Sequence, residues 1–324
     1  MATNVAPREP GKAPMVPPKS KGSGLPRSVI DALRSYPYLF IALFFFAGWQ
    51  ILPIYYALKM SLYDGDYFGI GREWTYVGLG NFRRVLHDGL FWDGLLRAFI
   101  FTCIFVPGMI LIPMVLAVLV DRVSRPRLAS AYRLILLIPS MIPSPLIFVL
   151  WIWMYNQQIG PINYFLMRLG FIDNQRDILW LSDPILSFPA IAVMEWWWGL
   201  GYHTMFFLAG LATIPKDIFD AARVDGASEW RIFRGITMFR LLPIILVLAV
   251  VRFGSAMAVV DEYIISGALG NKANSTYTWT VYMLDEGFVG SPAFRGYAAA
   301  IGWVGAFFML IVVGFFFWLF RSRD

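Results

Sequence analysis

The chain has 324 residues, of which 58% are hydrophobic and only 15% are charged, and its formal net charge is +6. Ordinary soluble domains contain about 25% charged residues, so this composition excludes that class of protein. Lysine and arginine concentrate in alternate loops between long apolar runs. This pattern is typical of membrane proteins and gives no reason to expect a nucleic-acid partner.

Residues 1–26 are rich in proline, glycine, lysine and serine and have no apolar periodicity, which predicts a disordered tail. Residues 28–35 are expected to add a short helix at the membrane surface. The many basic residues of this region place it in the cytoplasm. We therefore divide the chain into a cytoplasmic tail with its interfacial helix, residues 1–36, and a six-helix transmembrane domain, residues 37–324.

Six apolar runs follow, and each has the roughly 20 residues that a helix needs to cross about 30 Å of hydrocarbon. Helices are expected because backbone N–H and C=O groups in lipid must bond to each other. The third run has three prolines near its start, which predicts a distorted first half. The basic loops place both termini in the cytoplasm. The predicted spans are residues 38–60, 94–120, 134–155, 186–212, 242–265 and 297–320.

A basic and polar segment, residues 215–243, separates the fourth and fifth predicted spans. Pro215 suits the start of a short helix, and Gly226 after Asp225 suits a stop in the left-handed conformation. Ser228 is placed to cap a second helix. The segment is therefore predicted to form two short helices at the cytoplasmic surface, with small residues at the corner that allow close approach of another protein.

Two motifs resemble the permeases of ABC importers. Residues 77–82, with the sequence VGLGNF, are similar to the loop after the first span in the sugar-type members. Residues 215–243 resemble the cytoplasmic EAA loop of the family, which docks in a cleft of the ATPase subunit. By this resemblance, coupling to the ATPase is assigned to Asp220, Ala221, Ala222, Asp225, Gly226, Ala227 and Ser228.

Two positions depart from the family's EAA pattern. The leading glutamate of the family is Asp220 here, which is one methylene shorter and keeps the negative charge. The family's Leu-Pro pair is replaced by Met238 and Phe239, so the usual signal for a helix break is missing there.

The resemblance implies an all-α transmembrane fold, the six-span bundle of type I ABC importer permeases with a cytoplasmic coupling helix. The implied function is a transmembrane subunit that imports a sugar or oligosaccharide by alternating access across the bacterial cytoplasmic (inner) membrane. The implied partners are a second homologous permease subunit, two ATP-binding cassette ATPase subunits, an extracytoplasmic solute-binding protein and membrane lipid. ATP and Mg would be bound by the ATPase subunits. This chain has no GxxxxGK[ST] loop and is expected to be no enzyme and to hold no cofactor or metal.

Charged residues within apolar spans are costly and are therefore candidates for function. Glu195 and Arg252 are expected to pair between the fourth and fifth spans. Asp261 and Glu262 lie near the outer end of the fifth span, where they are either solvated or part of a polar path. Aromatic rings stack on sugar rings, while carboxylates and hydroxyls bond sugar hydroxyls. By resemblance to the sugar permeases, the pathway candidates are Trp198, Tyr202, Ser255, Glu262 and Tyr263.

Other interpretations stay open. A proton-coupled secondary transporter would use Glu195, His203 and Asp261 as a relay, but it would need inverted repeats and leaves residues 215–243 unexplained. A simple packing role competes with the relay role for His203. A membrane scaffold that transports nothing is a third class. Among cargoes, a neutral disaccharide, a longer oligosaccharide, a sugar phosphate and an acidic uronate chain such as alginate all remain open. Cys103, the single cysteine, is predicted to be a packed thiol.

Overall fold

The structure is a computed structural model, and it describes residues 36, 39–64, 74–260, 263, 265, 267, 274–289 and 294–321. The chain separates into two compact units, Met1–Ile54 and Tyr55–Asp324. In the first unit, residues 39–54 are helical and their side chains are exposed. The predicted tail and interfacial helix lie outside the described residues apart from Tyr36, and they stay a prediction.

Helices dominate the described residues, where the only sheet is an antiparallel pair of strands, β1 Tyr63–Asp64 and β2 Thr75–Tyr76. Single π-helical turns interrupt the first and ninth helices at Ala47–Ile51 and Phe233–Thr237. A third such turn, Asp285–Val289, follows the tenth helix. In chain order the helices are α1 Leu39–Ser61, α2 Gly80–Leu86, α3 Gly89–Asp121, α4 Pro126–Leu137, α5 Ser144–Met154, α6 Pro161–Arg168, α7 Ser187–Leu211, α8 Lys216–Val224, α9 Glu229–Met257, α10 Trp279–Leu284 and α11 Arg295–Arg321.

Four helices of the described residues, α1, α3, α9 and the part of α11 at Arg295–Phe315, are long and apolar enough to cross a membrane. Helix α7 matches the predicted fourth span, and its 25 residues extend about 37 Å at 1.5 Å per residue. The predicted third span is broken, as its prolines suggested. A 3-10 turn at Pro139–Met141 separates α4 from α5, whose 11 residues extend only about 17 Å.

The fifth predicted span, residues 242–265, extends beyond the end of its helix, and the helix begins before the span does. Helix α9 begins at Glu229, because Ser228 caps it early, and it ends at Met257. No break occurs at Met238 and Phe239, as the missing Leu-Pro signal implied. The second of the two short helices predicted after the fourth span is therefore the first turn of a 29-residue helix.

Helices α3 and α7 form the centre of the core in the second unit. Gly108 of α3 permits their close approach, because a Cβ at this position would overlap the indole ring of Trp196 on α7. The Trp196 Nε1 donates a hydrogen bond to the Phe105 carbonyl at 2.9 Å. Cys103 lies on another face of α3 and is exposed, so the prediction of a packed thiol is wrong.

Residues 77–82 anchor the chain where it leaves α1. Asn81 is buried, and its side-chain nitrogen donates to the carbonyls of Ser61 at 3.0 Å and Tyr63 at 2.8 Å. Gly78 has a positive φ of 55°, which suits glycine at this turn. The motif therefore has a structural role, since the buried Asn81 amide finds its hydrogen-bond partners in two backbone carbonyls.

At the start of α3, Asp88 joins three helices. Its Oδ1 accepts the Leu90 N–H at 2.9 Å, and its Oδ2 accepts the hydroxyls of Tyr282 at 2.6 Å and of Tyr297. Burial raises the pKa of the Asp88 carboxyl, but these hydrogen bonds outweigh burial, and the pKa lies below its ordinary value of 3.8. Asp88 thus ties α3 to α10 and α11.

Candidate coupling loop and transport pathway

Helix α8 is closed at both ends by local signals. Pro215 precedes its first residue, and Asp217 lies in the first turn, near the positive end of the helix dipole. At the other end, Gly226 takes a φ of 74°, and its N–H donates to the Arg223 carbonyl at 3.0 Å. The next N–H, of Ala227, reaches back to an earlier carbonyl of α8 at 2.9 Å. These two bonds form a Schellman motif, so the stop predicted at Gly226 is confirmed.

A short corner connects α8 to α9. The Ser228 Oγ accepts the Arg231 N–H at 3.4 Å and caps α9, as predicted. On the first turns of α9, the rings of Trp230 and Phe233 stack with centroids 5.6 Å apart. Helix α9 then continues through its π-helical turn to Met257, so the corner is covalently continuous with a long helix of the bundle.

A chain of charged groups crosses the same corner. Arg223 of α8 pairs with Asp220 at 3.0 Å and with Glu229 of α9 at 3.2 Å. Glu229 also pairs with Arg122, which directly follows α3. We call these four residues the charge chain. It links α8, α9 and α3. No sequence signal indicates the link to α3, because Arg122 lies 107 positions before Glu229.

Packing attaches α8 only weakly to the bundle. No residue of α8 is fully buried, although Ile218 and Phe219 pack partly against a core cluster that includes Met114, Phe207 and Leu241. A cavity of about 210 Å³ lies behind the helix, lined on its polar side by Asp121, Lys216 and members of the charge chain. The orientation of α8 therefore depends on the two apolar contacts and on the charge chain.

The residues assigned to ATPase coupling form one accessible surface. Val224, on the last turn of α8, is 88% exposed, so the surface of α8 at this end is accessible to another protein. Of the seven assigned residues, two are half-buried, Ala222 and Ala227, and the other five are exposed: Asp220, Ala221, Asp225, Gly226 and Ser228.

The predicted pathway residues are not all brought together. Tyr202 is 51% exposed and Ser255 is exposed, whereas Trp198 is partly buried and donates its Nε1 to the Ile142 carbonyl at 3.1 Å. Tyr263 is fully buried. Its ring packs against those of Phe101 and Phe188. Glu262 and Asp261 lie outside the described residues.

A polar pair links α7 to α9 at the depth of the spans. Arg252 Nε donates to His203 Nε2 at 2.7 Å, and His203 Nδ1 contacts the Gly199 carbonyl at 2.7 Å. Because arginine Nε always carries a proton, Nε2 is the acceptor and Nδ1 carries the imidazole proton. Arg252 and Glu195 interact electrostatically, but the hydrogen bond of Arg252 goes to His203.

Comparison with known families decides the class of this molecule. Residues 77–323, about three quarters of the chain, match the model of the family described as binding-protein-dependent transport system inner membrane component. The chain belongs to this family. It is accordingly an integral inner-membrane permease subunit, and it is not an enzyme, since ATP hydrolysis in these systems belongs to separate subunits.

Individual relatives cover most of the permease. It is 31% identical to the sn-glycerol-3-phosphate transport system permease protein of Agrobacterium fabrum, over 81% of this chain and 87% of the relative. It is 29% identical to a lactose transport system permease protein of Rhizobium radiobacter, over 85% of this chain and 89% of the relative. It is 32% identical to a trehalose/maltose transport system permease protein of Thermococcus litoralis, over 67% of this chain and 71% of the relative.

A solved structure shows the same fold. It is the crystal structure of a bacterial ABC transporter involved in the import of the acidic polysaccharide alginate. The TM-score is 0.75 at 21% identity, and the match covers 92% of this chain and all of that chain. The predicted all-α type I permease fold is therefore confirmed, as is the resemblance to ABC importer permeases.

Family membership also resolves the alternatives. A binding-protein-dependent permease needs no proton relay, and the relay proposed for His203 finds its Nε2 already occupied by Arg252. The packing interpretation of His203, which is 1% exposed, agrees with this geometry. The signals that sequence reasoning missed are the ones between distant positions, namely the charge chain and the Arg252–His203 bond.

Proposed function

We propose that this permease imports a carbohydrate, and that α8 is the element that docks in a cleft of the ATPase subunit. The observation that supports this most is α8 itself. It is an exposed helix, closed by Gly226 and joined through Ser228 to a helix of 29 residues that enters the bundle. In this proposal, a movement of α8 reaches the bundle through α9, because the corner between the two helices is short and capped at both ends.

In this mechanism the ATPase subunits close on ATP and carry α8 with them. Helix α9 tilts because it is continuous with the corner, and α3 follows through the bond between Arg122 and Glu229. The bundle alternates between inward-open and outward-open states. ATP binding shifts this equilibrium only to the extent that the ATP-bound motors fit one state better than the other.

The proposed assembly contains a second, homologous permease subunit that encloses the pathway with this one. Two ATP-binding cassette subunits hold ATP and Mg on the cytoplasmic side, and a solute-binding protein delivers cargo from outside. We place both termini and residues 215–243 in the cytoplasm, and residues 1–36 form the tail in this proposal. The basic residues around the coupling loop support this orientation.

The cargo class is supported by relatives whose names specify lactose, trehalose/maltose and sn-glycerol 3-phosphate. We assign the pathway to Trp198, Tyr202, Ser255, Glu262 and Tyr263. Among them, Tyr202 and Ser255 are exposed and present hydroxyls, the groups that bond sugar hydroxyls. Tyr263 would need a different conformation to reach cargo, since its side chain is buried here.

The docking role of α8 is tested by Asp220→Lys and Gly226→Pro in the assembled complex. Proline at 226 cannot take a φ of 74° and has no N–H for the Arg223 carbonyl, so the stop of α8 is lost. Both variants are expected to reach the membrane but to lose stimulation of ATP hydrolysis by the loaded binding protein. Asp173→Lys, an equal charge change at an exposed residue between α6 and α7, is the matched control. Full coupled uptake in both variants would rule out the docking role.

A further inference from the structure

The guanidinium of Arg252 is the one group in the apolar part of α9 that packing alone does not explain. It lies five residues before the end of α9, after a long apolar stretch, where a charged side chain is costly and calls for a function. Its hydrogen-bond partner His203 is neutral, because Nε2 is an acceptor and the single ring proton sits on Nδ1. Arg252 therefore keeps its full positive charge.

Among the described residues, the guanidinium of Arg252 makes its hydrogen bond through one nitrogen. Only its Nε is used, in the bond to His203, and its two terminal amino groups have no hydrogen-bond partner within the part of the chain that the structure describes. Those two groups form the planar fork that binds a carboxylate or phosphate through two parallel hydrogen bonds. Glu195 lowers the local potential through space, but it is not the hydrogen-bond partner of Arg252.

The residues beside Arg252 form an accessible wall. Val251 is 58% exposed, and Ser255, one turn further along α9, is also exposed. On α7, Tyr202 directly precedes His203 and is 51% exposed. The Ser255 Oγ donates to the Arg252 carbonyl at 3.1 Å, and Tyr202 interacts electrostatically with the Arg252 guanidinium, so both hydroxyl-bearing residues are neighbours of Arg252.

We propose that Arg252 is a specificity residue for an acidic carbohydrate, which presents a carboxylate or phosphate to the terminal amino groups while Tyr202 and Ser255 bond its hydroxyls. This inference rests on the proposed carbohydrate import. His203 acts as a positioning residue, because its neutral imidazole fixes the Arg252 side chain without cancelling its charge. A neutral sugar would leave the fork desolvated and unpaired, which disfavours that cargo.

The local charge is tested with a thiol probe that needs no knowledge of the cargo. In the assembled complex, Ser255→Cys is combined with Cys103→Ser, because Cys103 is exposed and would also react. The rates of modification by an anionic sulfonatoethyl and a cationic trimethylammonioethyl methanethiosulfonate are compared at fixed salt. Adding Arg252→Gln is expected to lower the anionic-to-cationic rate ratio about tenfold, the lower end of the effects of focused charge in clefts. Arg252→Lys is expected to keep most of the ratio.

Two results of the labelling experiment would overturn the proposal. An unchanged ratio in Arg252→Gln would mean that the guanidinium does not face the path. Complete resistance of Ser255→Cys to both reagents in every conformational state would mean that another subunit covers this wall.

The cargo itself gives the second test. The importer's own binding protein is purified from cells, and the charge of the molecule eluted from it is determined by mass spectrometry. An acidic saccharide supports the inference. A neutral saccharide overturns the role of Arg252 and leaves carbohydrate import standing, whereas a cargo that is not a carbohydrate overturns the proposed function as well.

Discussion

Two carboxylates of the permease, Asp88 and Asp220, have opposite environments and therefore opposite uses. Asp88 is half-buried and accepts three hydrogen bonds from groups on α3, α10 and α11. Asp220 is exposed, and within the described part of the chain its ion pair is with Arg223 on the next turn of its own helix. Exposed pairs of this kind contribute about 0.2–1 kcal/mol, so Asp220 is available to exchange its partner when another protein docks.

Asp88→Asn is expected to lower the melting temperature of the purified complex at pH 7, because a neutral amide is a weaker acceptor for the two tyrosine hydroxyls. The folded-state pKa of Asp88 lies below 3.8, so its stabilisation is present above that pH and is lost as the pH falls through the folded value. Melting curves between pH 7 and pH 3 should therefore show the gap between wild type and variant closing at the acid end. A gap that stays constant down to pH 3 would contradict this, and Asp173→Asn serves as the exposed control.

At the scale of whole elements, features set by local sequence signals could be predicted, whereas contacts between distant residues could not. Helix α8 was predictable because Pro215, Gly226 and Ser228 act within a few residues of their own positions. Helix α4 was not predictable, since its arginines are typical of a loop between spans. Its packed face is marked by the buried Ala129, and this burial is visible only in the structure. The hydrogen bond between His203 and Arg252 joins residues 49 positions apart, and no local sequence pattern indicates that α7 and α9 meet at these two residues.

Glu229 tests the charge chain as a positioning device for α8. Glu229→Gln removes the acceptor charge shared by Arg122 and Arg223. The change in stability should be below about 1 kcal/mol, because all three groups are about half exposed. The amount of cargo imported per ATP hydrolysed is nevertheless expected to fall about fivefold, the lower end of typical coupling between sites.

A structural role alone would change stability and leave this coupling ratio intact, so the two measurements separate the explanations. Both are made on the same proteoliposomes, by a melting curve and by parallel uptake and hydrolysis assays. Asp173→Asn is the comparison, because Asp173 is exposed, is not assigned to ATPase coupling and belongs to no ion pair among the described residues. An unchanged ratio in Glu229→Gln would assign the positioning of α8 to Ile218 and Phe219.

Gly108 tests the packing of α3 against α7. In Gly108→Ala the new Cβ meets the indole of Trp196, so the ring must shift and its bond to the Phe105 carbonyl is strained. Overpacking of this kind costs about 1–3 kcal/mol. Gly314→Ala in α11 is the control, because nothing lies within 4 Å of a Cβ there. Equal melting temperatures for the two variants would show that α3 and α7 do not need this close approach.

At the scale of the molecule, the proposed mechanism fixes the orientation of the spans across the membrane. The coupling loop follows α7 and precedes α9, whereas α6 and its following turn lie on the other side of α7 in sequence. One crossing by α7 therefore puts Val224, 88% exposed, and Leu169, 70% exposed, on opposite sides of the membrane. The proposed mechanism requires Val224 on the side of the ATPase subunits.

Single cysteines at these positions, in a Cys103→Ser background, test both the orientation and the docking. In spheroplasts, a membrane-impermeant maleimide is expected to label Leu169→Cys and to spare Val224→Cys. In inside-out vesicles stripped of ATPase subunits the pattern should reverse. Adding the ATPase subunits back should slow labelling of Val224→Cys, because α8 enters their cleft. Thr213, just before α8, is also exposed and serves as the control: addition of the ATPase subunits should slow the labelling of Thr213→Cys less than that of Val224→Cys. Labelling of Val224→Cys from outside would reverse the topology, and undiminished labelling in the complete complex would leave α8 without its proposed partner.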